Sequence, residues 1–221
     1  MTAVPDLVLE LLRLDPLEVC PRLLGAVLRV RSDDGEVALR LTEVEAYRGE
    51  EDPGSHAYRG MTKRNATMFA DAGTVYVYLT YGMHHCANLV CGPEGLSRAV
   101  LLRAGEVVEG LALARRRRPA ARKDEQLASG PGRLCCALGL TRIDDGVVLG
   151  ADGSRMSLVL PEVPVAAERI RTGPRTGVSG PGGEGAVFPW RFWIDGDPTV
   201  SPYKAAAPRR ARRGRAAPGG R

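Results

Sequence analysis

Between Glu36 and Tyr47 the chain reads in a period of two, with Val37, Leu39 and Leu41 sharing one side. Such alternation belongs to a strand with one buried face, and a sheet must be built around it. Carried on without a bulge, the same period places Glu43, Glu45 and Tyr47 on that apolar face. An ionised carboxylate in a partly buried position is costly unless it is paired or used. The strand is therefore expected to deliver carboxylates into a site. Leu28 to Arg31 forms a shorter strand ahead of it, and Ser32-Asp33-Asp34-Gly35 supplies the turn of a β-hairpin.

Aromatic residues make up only 5% of the chain, yet Tyr47, Tyr76, Tyr78 and Tyr81 fall within the same fifty-residue stretch as Glu43, Glu45, His56 and Asn88. Carboxylates among flat rings suggest a pocket that grips a planar group and cleaves a bond beside it. Residues 48 to 73 are polar and glycine-rich and read as a loop over that pocket. Thr74 to Thr80 is a strand, followed by shorter ones at Cys86 to Cys91 and Ala99 to Arg103.

Residues 5 to 27 read as largely helical, with Leu7, Leu11 and Leu14 in one core stripe and Leu23, Leu24 and Val27 in another after Pro21. A helix is expected from Glu106 through Leu113 into Arg115 to Arg118, ending at Pro119. Ser129-Gly130-Pro131 opens a further helix whose N-terminus suits a phosphate. Residues 147 to 166 suggest more strands, Gly180 to Gly185 a flexible loop, and Trp190 to Ile194 a last strand. The fold class is mixed α/β (α+β): a single domain with a curved, mainly antiparallel sheet flanked by helices, spanning 1–204. Residues 205–221 contain only Ala, Pro, Gly and Arg, too little apolar bulk to pack, and are expected to be a disordered tail.

With 31 Lys and Arg against 26 Asp and Glu, the net charge of +5 favours a polyanionic partner. The five cysteines form no CxxC, which points to a reducing cytoplasm rather than a disulfide framework. Charged residues interrupt the N-terminal leucines, so neither a signal peptide nor a membrane span is expected. His84, His85, Cys86 and Cys91 raise a zinc alternative, but neighbours in a strand point to opposite faces, and the nucleobase-deaminase pattern is absent. A pure nucleic-acid-binding module resting on Arg115 to Arg118 would have no need of pocket carboxylates. A glycoside hydrolase using Glu43 and Glu45 is disfavoured by the absence of a tryptophan cluster in that region.

The series Thr42-Glu43-Val44-Glu45-Ala46-Tyr47, Glu51-Asp52, His56, Lys63-Arg64-Asn65, Met68-Phe69, Gly73 to Met83, Asn88 and Leu101-Leu102-Arg103-Ala104 closely resembles the alkyladenine (3-methyladenine) DNA glycosylase family. Ser129 to Cys135 and Trp190-Arg191-Phe192 extend the resemblance over roughly residues 18 to 203. It implies an enzyme that flips damaged purines out of double-stranded DNA and hydrolyses the N-glycosidic bond, without metal or cofactor. In that reading Glu45 activates the water and Arg103 stands beside it. Tyr47, Tyr78 and His56 enclose the base, Asn88 tests its substituents, and Tyr81 fills the gap in the duplex. Lys63, Arg64, Met83, Ser129, Gly130 and Arg133 meet the DNA backbone. With no lysine nucleophile in the pocket, a monofunctional, monomeric enzyme is expected, cytoplasmic or associated with the nucleoid in a prokaryote.

Overall fold

The computed structural model describes residues 6–80 and 82–206. Its fold is a mixed α/β single domain: an eight-stranded, antiparallel sheet with four helices. The expectations for Tyr81 and for residues 207–221 lie outside the described residues. The strands are β1 (Val27–Ser32), β2 (Gly35–Tyr47), β3 (Val75–Thr80), β4 (His84–Val90), β5 (Ala99–Glu109), β6 (Met156–Val159), β7 (Ile170–Gly173) and β8 (Arg191–Ile194). The helices are α1 (Asp6–Leu12), α2 (Pro16–Leu23), α3 (Leu111–Arg117) and α4 (Pro131–Leu138). No helix among the described residues is long and apolar enough to cross a membrane.

The sheet runs β3-β4-β5-β2-β1-β6, and β8 joins it on β2 with β7 outside. The long β2 changes partner along one edge, pairing with β1 up to Arg40 and with β8 from Glu43 to Glu45. Its other edge pairs with β5 from Ala38 to Tyr47, and the register of that pairing shifts between Ala38 and Leu39, between Leu41 and Glu43 and again between Glu43 and Val44. A bulge of this kind inserts a residue and reverses which face the following side chains take.

The expected alternation is therefore corrected. Val37, Leu39 and Leu41 join the main core, but beyond the bulge Val44 and Ala46 continue it. Glu43, Glu45 and Tyr47 consequently face the other side of the sheet. Leu11, Leu12, Leu23, Leu24, Leu134 and Leu138 cover the core side, so the helices close one face. On the opposite face Tyr76, Val90 and Ala99 pack under Ala57, Met68 and Phe69 of the 48–73 loop as a smaller cluster.

Other departures have local causes. Residues 106–109 are not helical, because β5 stays hydrogen-bonded to β2 as far as Ala38 and Glu109. Gly110 then turns the chain with φ of 72° before α3 starts. Leu7 is 67% exposed rather than core, since Val8, Leu11 and Leu12 form the inward stripe of the short α1. Pro21 lies inside α2 without ending it. Of the strands expected between 147 and 166 only β6 forms, and β7 carried no clear strand signal in the sequence.

Gly49 turns the chain from β2 into the loop over the second face with φ of 59°, and a Cβ there would run into the carbonyl oxygen of Ser97. Gly49→Ala is expected to lower stability by about 1–3 kcal/mol. Urea denaturation measures this, and an unchanged midpoint would mean that the turn tolerates a side chain.

Candidate active site

Register carries the site residues into one row across the sheet. Glu45 of β2 lies opposite Leu101 of β5, Leu101 opposite Asn88 of β4, and Asn88 opposite Tyr76 of β3. Directly opposed residues in antiparallel strands share a face. The bulge in β2 thus aligns Glu45 with the tyrosine strand. Tyr78 follows Tyr76 on the same face, and their rings stack with centroids 5.5 Å apart.

Two carboxylates reach this face, both fully buried, and their partners differ. Glu43 Oε1 accepts from Arg103 Nε at 2.6 Å and from Arg191 Nε at 2.6 Å, and its Oε2 accepts from the Ser201 N–H at 2.7 Å. Burial opposes its ionisation, but Arg103, Arg191 and the Ser201 side chain outweigh that and hold its pKa below the ordinary carboxyl value. Glu43 is therefore an anion neutralised from two sides by buried guanidiniums. Glu45 Oε1 accepts from the Thr176 N–H at 2.7 Å and lies 3.2 Å from Arg103 Nη1. Its Oε2 accepts only the Tyr47 hydroxyl, at 2.9 Å, among the described residues. Each carboxylate thus has one oxygen with a single donor, and they differ in their cations: Glu43 lies between two guanidiniums, whereas Glu45 meets only Arg103 among the described residues and sits beside the Tyr47 hydroxyl.

Arg103 spans both carboxylates, and its Nη2 donates to Ser201 Oγ at 3.1 Å. At 4% exposure it is an interior cation, not a strand-end surface group. Burial disfavours its charge, yet Glu45 and Glu43 more than compensate and raise its pKa. Burial, followed by the neighbouring Glu45 charge, raises the Tyr47 pKa, so this hydroxyl remains a donor.

His56 sits edge-on to Tyr78, ring centroids 4.6 Å apart, at the exposed rim. Lost hydration and the nearby Arg64 charge lower its pKa, leaving a neutral imidazole at pH 7. Asn88 is buried and its Nδ2 donates to the Tyr76 carbonyl at 3.2 Å. His56, Thr62, Arg64, Asn65 and Tyr76 line a small cavity of about 150 Å³ at this rim.

The residues expected at a backbone track are brought together only in part. Lys63 and Arg64 are exposed on the loop beside His56, and Met83 is 71% exposed at the β3–β4 connection. Gly130 caps α4, and the backbone of Ser129 pairs with Ala104 at the sheet. A Cβ on Gly132 would lie 3.0 Å from His84 Cβ, which places the α4 N-terminus against the start of β4. Ser129 is buried, whereas Arg133 projects to solvent. Among the described residues no three His, Cys, Asp or Glu gather where they could hold a metal ion.

Sequence reasoning assigned no role to Arg175, Asp52, Thr176, Arg191 or Ser201. Arg175 is 1% exposed and forms a two-armed pair with Asp52 at 2.5 and 2.6 Å. It donates to the carbonyls of Ala46 at 2.9 Å and Gly182 at 2.8 Å, and it covers one face of the Tyr47 ring at 4.6 Å. It thereby joins three chain segments behind Tyr47, and its neighbour Thr176 holds Glu45. Asp52 and Arg191 stood inside recognisable motifs, and the surplus of carboxylates in β2 signalled that buried cations must meet them. Nothing in the Gly- and Pro-rich surroundings of Arg175 marked it out.

Glu43→Gln leaves Arg103 and Arg191 short of one negative charge in the interior, and a loss of about 3 kcal/mol at pH 7 is expected in urea denaturation. Because folding depresses the Glu43 pKa, its contribution is present above the ordinary value of 4.5 and lost as pH falls through the folded value. The gap between wild type and variant should therefore close on acidification. A gap that is independent of pH would show that the charge of Glu43 is not what stabilises the fold.

The methylpurine-DNA glycosylase (MPG) family matches residues 10–198. A protein of Streptomyces avermitilis named "Putative 3-methyladenine DNA glycosylase" is 57% identical over 215 residues, covering 96% of this chain and 100% of that protein. Proteins with the same printed name occur in Leifsonia xyli, 58% identical over 193 residues (85% of this chain, 88% of that protein), and in Methanocella arvoryzae, 46% identical over 185 residues (84% and 90%). A match over almost the whole described fold, with relatives similar nearly end to end, leads to one conclusion: the chain belongs to the methylpurine-DNA glycosylase family.

Proposed function

We propose that the protein is a 3-methyladenine DNA glycosylase of base excision repair, which extrudes an alkylated or deaminated purine from duplex DNA and hydrolyses its N-glycosidic bond. The observation that carries this reading is Glu45: a buried carboxylate held by Arg103 and Thr176, in contact with the Tyr47 hydroxyl and in one row with Asn88 and the tyrosine strand.

A base stacked in a duplex is out of reach, so the nucleotide must rotate out, at a cost of a few kcal/mol that is least for damaged bases. Tyr81, between β3 and β4, fills the space it leaves. The extruded purine is held by the rings of Tyr47, Tyr78 and His56, and a cationic alkylpurine gains from the aromatic faces. The Asn88 amide tests the exocyclic substituents. Water between Glu45 and the sugar gives its proton to the carboxylate as its oxygen bonds to C1′. The C1′–N bond breaks and its electron pair leaves with the base, which neutralises the charge of an alkylated purine.

Positive charge developing on the sugar meets the fixed carboxylate, and Arg103 holds that carboxylate in place. Lys63, Arg64, Met83, Ser129, Gly130 and Arg133 meet the backbone of the same duplex. Lys63, the nearest lysine in sequence, is exposed on the loop, which supports hydrolysis without strand cleavage. The working unit is a monomer with its catalytic domain at 1–204, acting in the cytoplasm or on the nucleoid, and no metal or cofactor enters the reaction.

The test is single-turnover release of 3-methyladenine and hypoxanthine from duplex DNA in EDTA. Wild type is expected to release base and leave an intact abasic strand, and Glu45→Gln to bind lesion DNA but excise at least about 100-fold more slowly. Rates within a few-fold of each other would remove Glu45 from the chemistry, and no release by folded wild type would overturn the proposal.

A further inference from the structure

Away from the lesion pocket, the chain between α3 and α4 folds around a cleft of about 330 Å³ lined by Arg115, Arg118, Arg122, Lys123, Asp124 and Leu127, among others. Arg115 is paired with Asp124 at 2.9 and 2.7 Å, which uses that carboxylate. Arg118 Nε donates to the Leu127 carbonyl at 3.3 Å, fixing its stem along the cleft wall. Arg118, Arg122 and Lys123 form no ion pair among the described residues, whereas Arg29, Arg40, Arg142, Arg155 and Arg171 each meet a carboxylate. Like charges gathered in one concavity repel one another, and a polyanion relieves that repulsion.

The cleft is also continuous with the expected backbone track. Leu127 stands two residues before Ser129, whose backbone bridges Ala104, and Arg133 Nη1 donates to the Ser129 carbonyl at 3.4 Å. Gly132 in the next turn meets His84 beside Met83. The segment 127–132 thus links the cleft wall at Leu127 to the β3–β4 connection at His84.

We propose that this cleft is a phosphate-binding anchor for the DNA duplex, set apart from the lesion pocket and neutralising adjacent backbone phosphates through Arg118, Arg122 and Lys123. The inference rests on the glycosylase reading for its partner. A phosphate contact outside the pocket strengthens binding to damaged and undamaged duplex alike, without reading a base.

The experiment is fluorescence anisotropy of wild type and Arg122→Gln/Lys123→Gln on undamaged duplex and on duplex carrying a tetrahydrofuran abasic analogue, across a sodium chloride titration. Both side chains are exposed, and the hydrogen bond from Arg122 N to Gln126 uses only the backbone of residue 122, so the fold should persist. The expected result is weaker binding to both duplexes and a salt slope reduced by about 1–2. The excision rate at saturating enzyme should stay within about two-fold of wild type. Affinity and slope equal to wild type would overturn the anchor. So would a loss confined to the abasic duplex, because that places the effect in the lesion pocket. If the double variant melts early, Lys123→Gln alone must lower the slope by about 1. A wild type that binds duplex with the expected slope but releases no base would refute the enzymatic reading and leave the anchor standing.

Discussion

Arg103 is the interaction on which the rest depends. One guanidinium touches both Glu43 and Glu45 inside the protein, where an ion without a counter-ion costs several kcal/mol. Around it the interior gathers three carboxylates, Glu43, Glu45 and Asp52, and three guanidiniums, Arg103, Arg175 and Arg191, each at most 4% exposed. Their formal charges cancel. None is tolerable until the others arrive, so β2, β5, β8, the loop at Asp52 and the segment around Arg175 must assemble together. The chain close to its C-terminal end is thereby part of the site: the Ser201 amide caps Glu43 and the Thr176 amide caps Glu45.

This arrangement suits chemistry in which charge appears at a sugar carbon. Donors and ions already oriented by folding need not reorganise when the bond breaks, which is the main source of electrostatic catalysis. Arg175 lies over one face of the Tyr47 ring and is itself neutralised by Asp52. In the proposed reaction the base stacks on the opposite face of that ring, which is braced and not free to swing. The rim is built differently. His56, Lys63, Arg64 and Met83 are exposed on a loop and a hairpin connection, as suits groups that must meet a large partner.

Much of this was legible from residues alone. The β1–β2 hairpin, the tyrosine strand and the α4 N-terminus at Ser129-Gly130-Pro131 follow from local patterns, and the ordered motifs pointed to the family. What failed was face assignment in β2: the bulge between Leu41 and Val44 is marked only by the shift of apolar residues from odd to even positions, at Val44 and Ala46, and an uninterrupted period of two passes over it. The helix expected from Glu106 failed for a related reason: Val107 and its neighbours are committed by pairing with a distant strand, and that tertiary contact overrides local preference. Arg175 was silent because its role is defined by three segments remote in sequence. In hindsight the carboxylates at Glu43 and Glu45 held the clue, since two buried anions demand buried cations.

The central claim is that the bulge sends two carboxylates, two residues apart, to the same face, with Glu43 serving the fold and Glu45 the proposed reaction. The most direct measurement is the single-turnover rate of 3-methyladenine excision by Glu43→Gln, taken at a temperature where the variant is folded. The account expects a rate within about tenfold of wild type, because Glu45, Thr176 and Tyr47 keep their contacts. A loss as deep as that of Glu45→Gln would contradict the division of roles and make the pair a single catalytic unit.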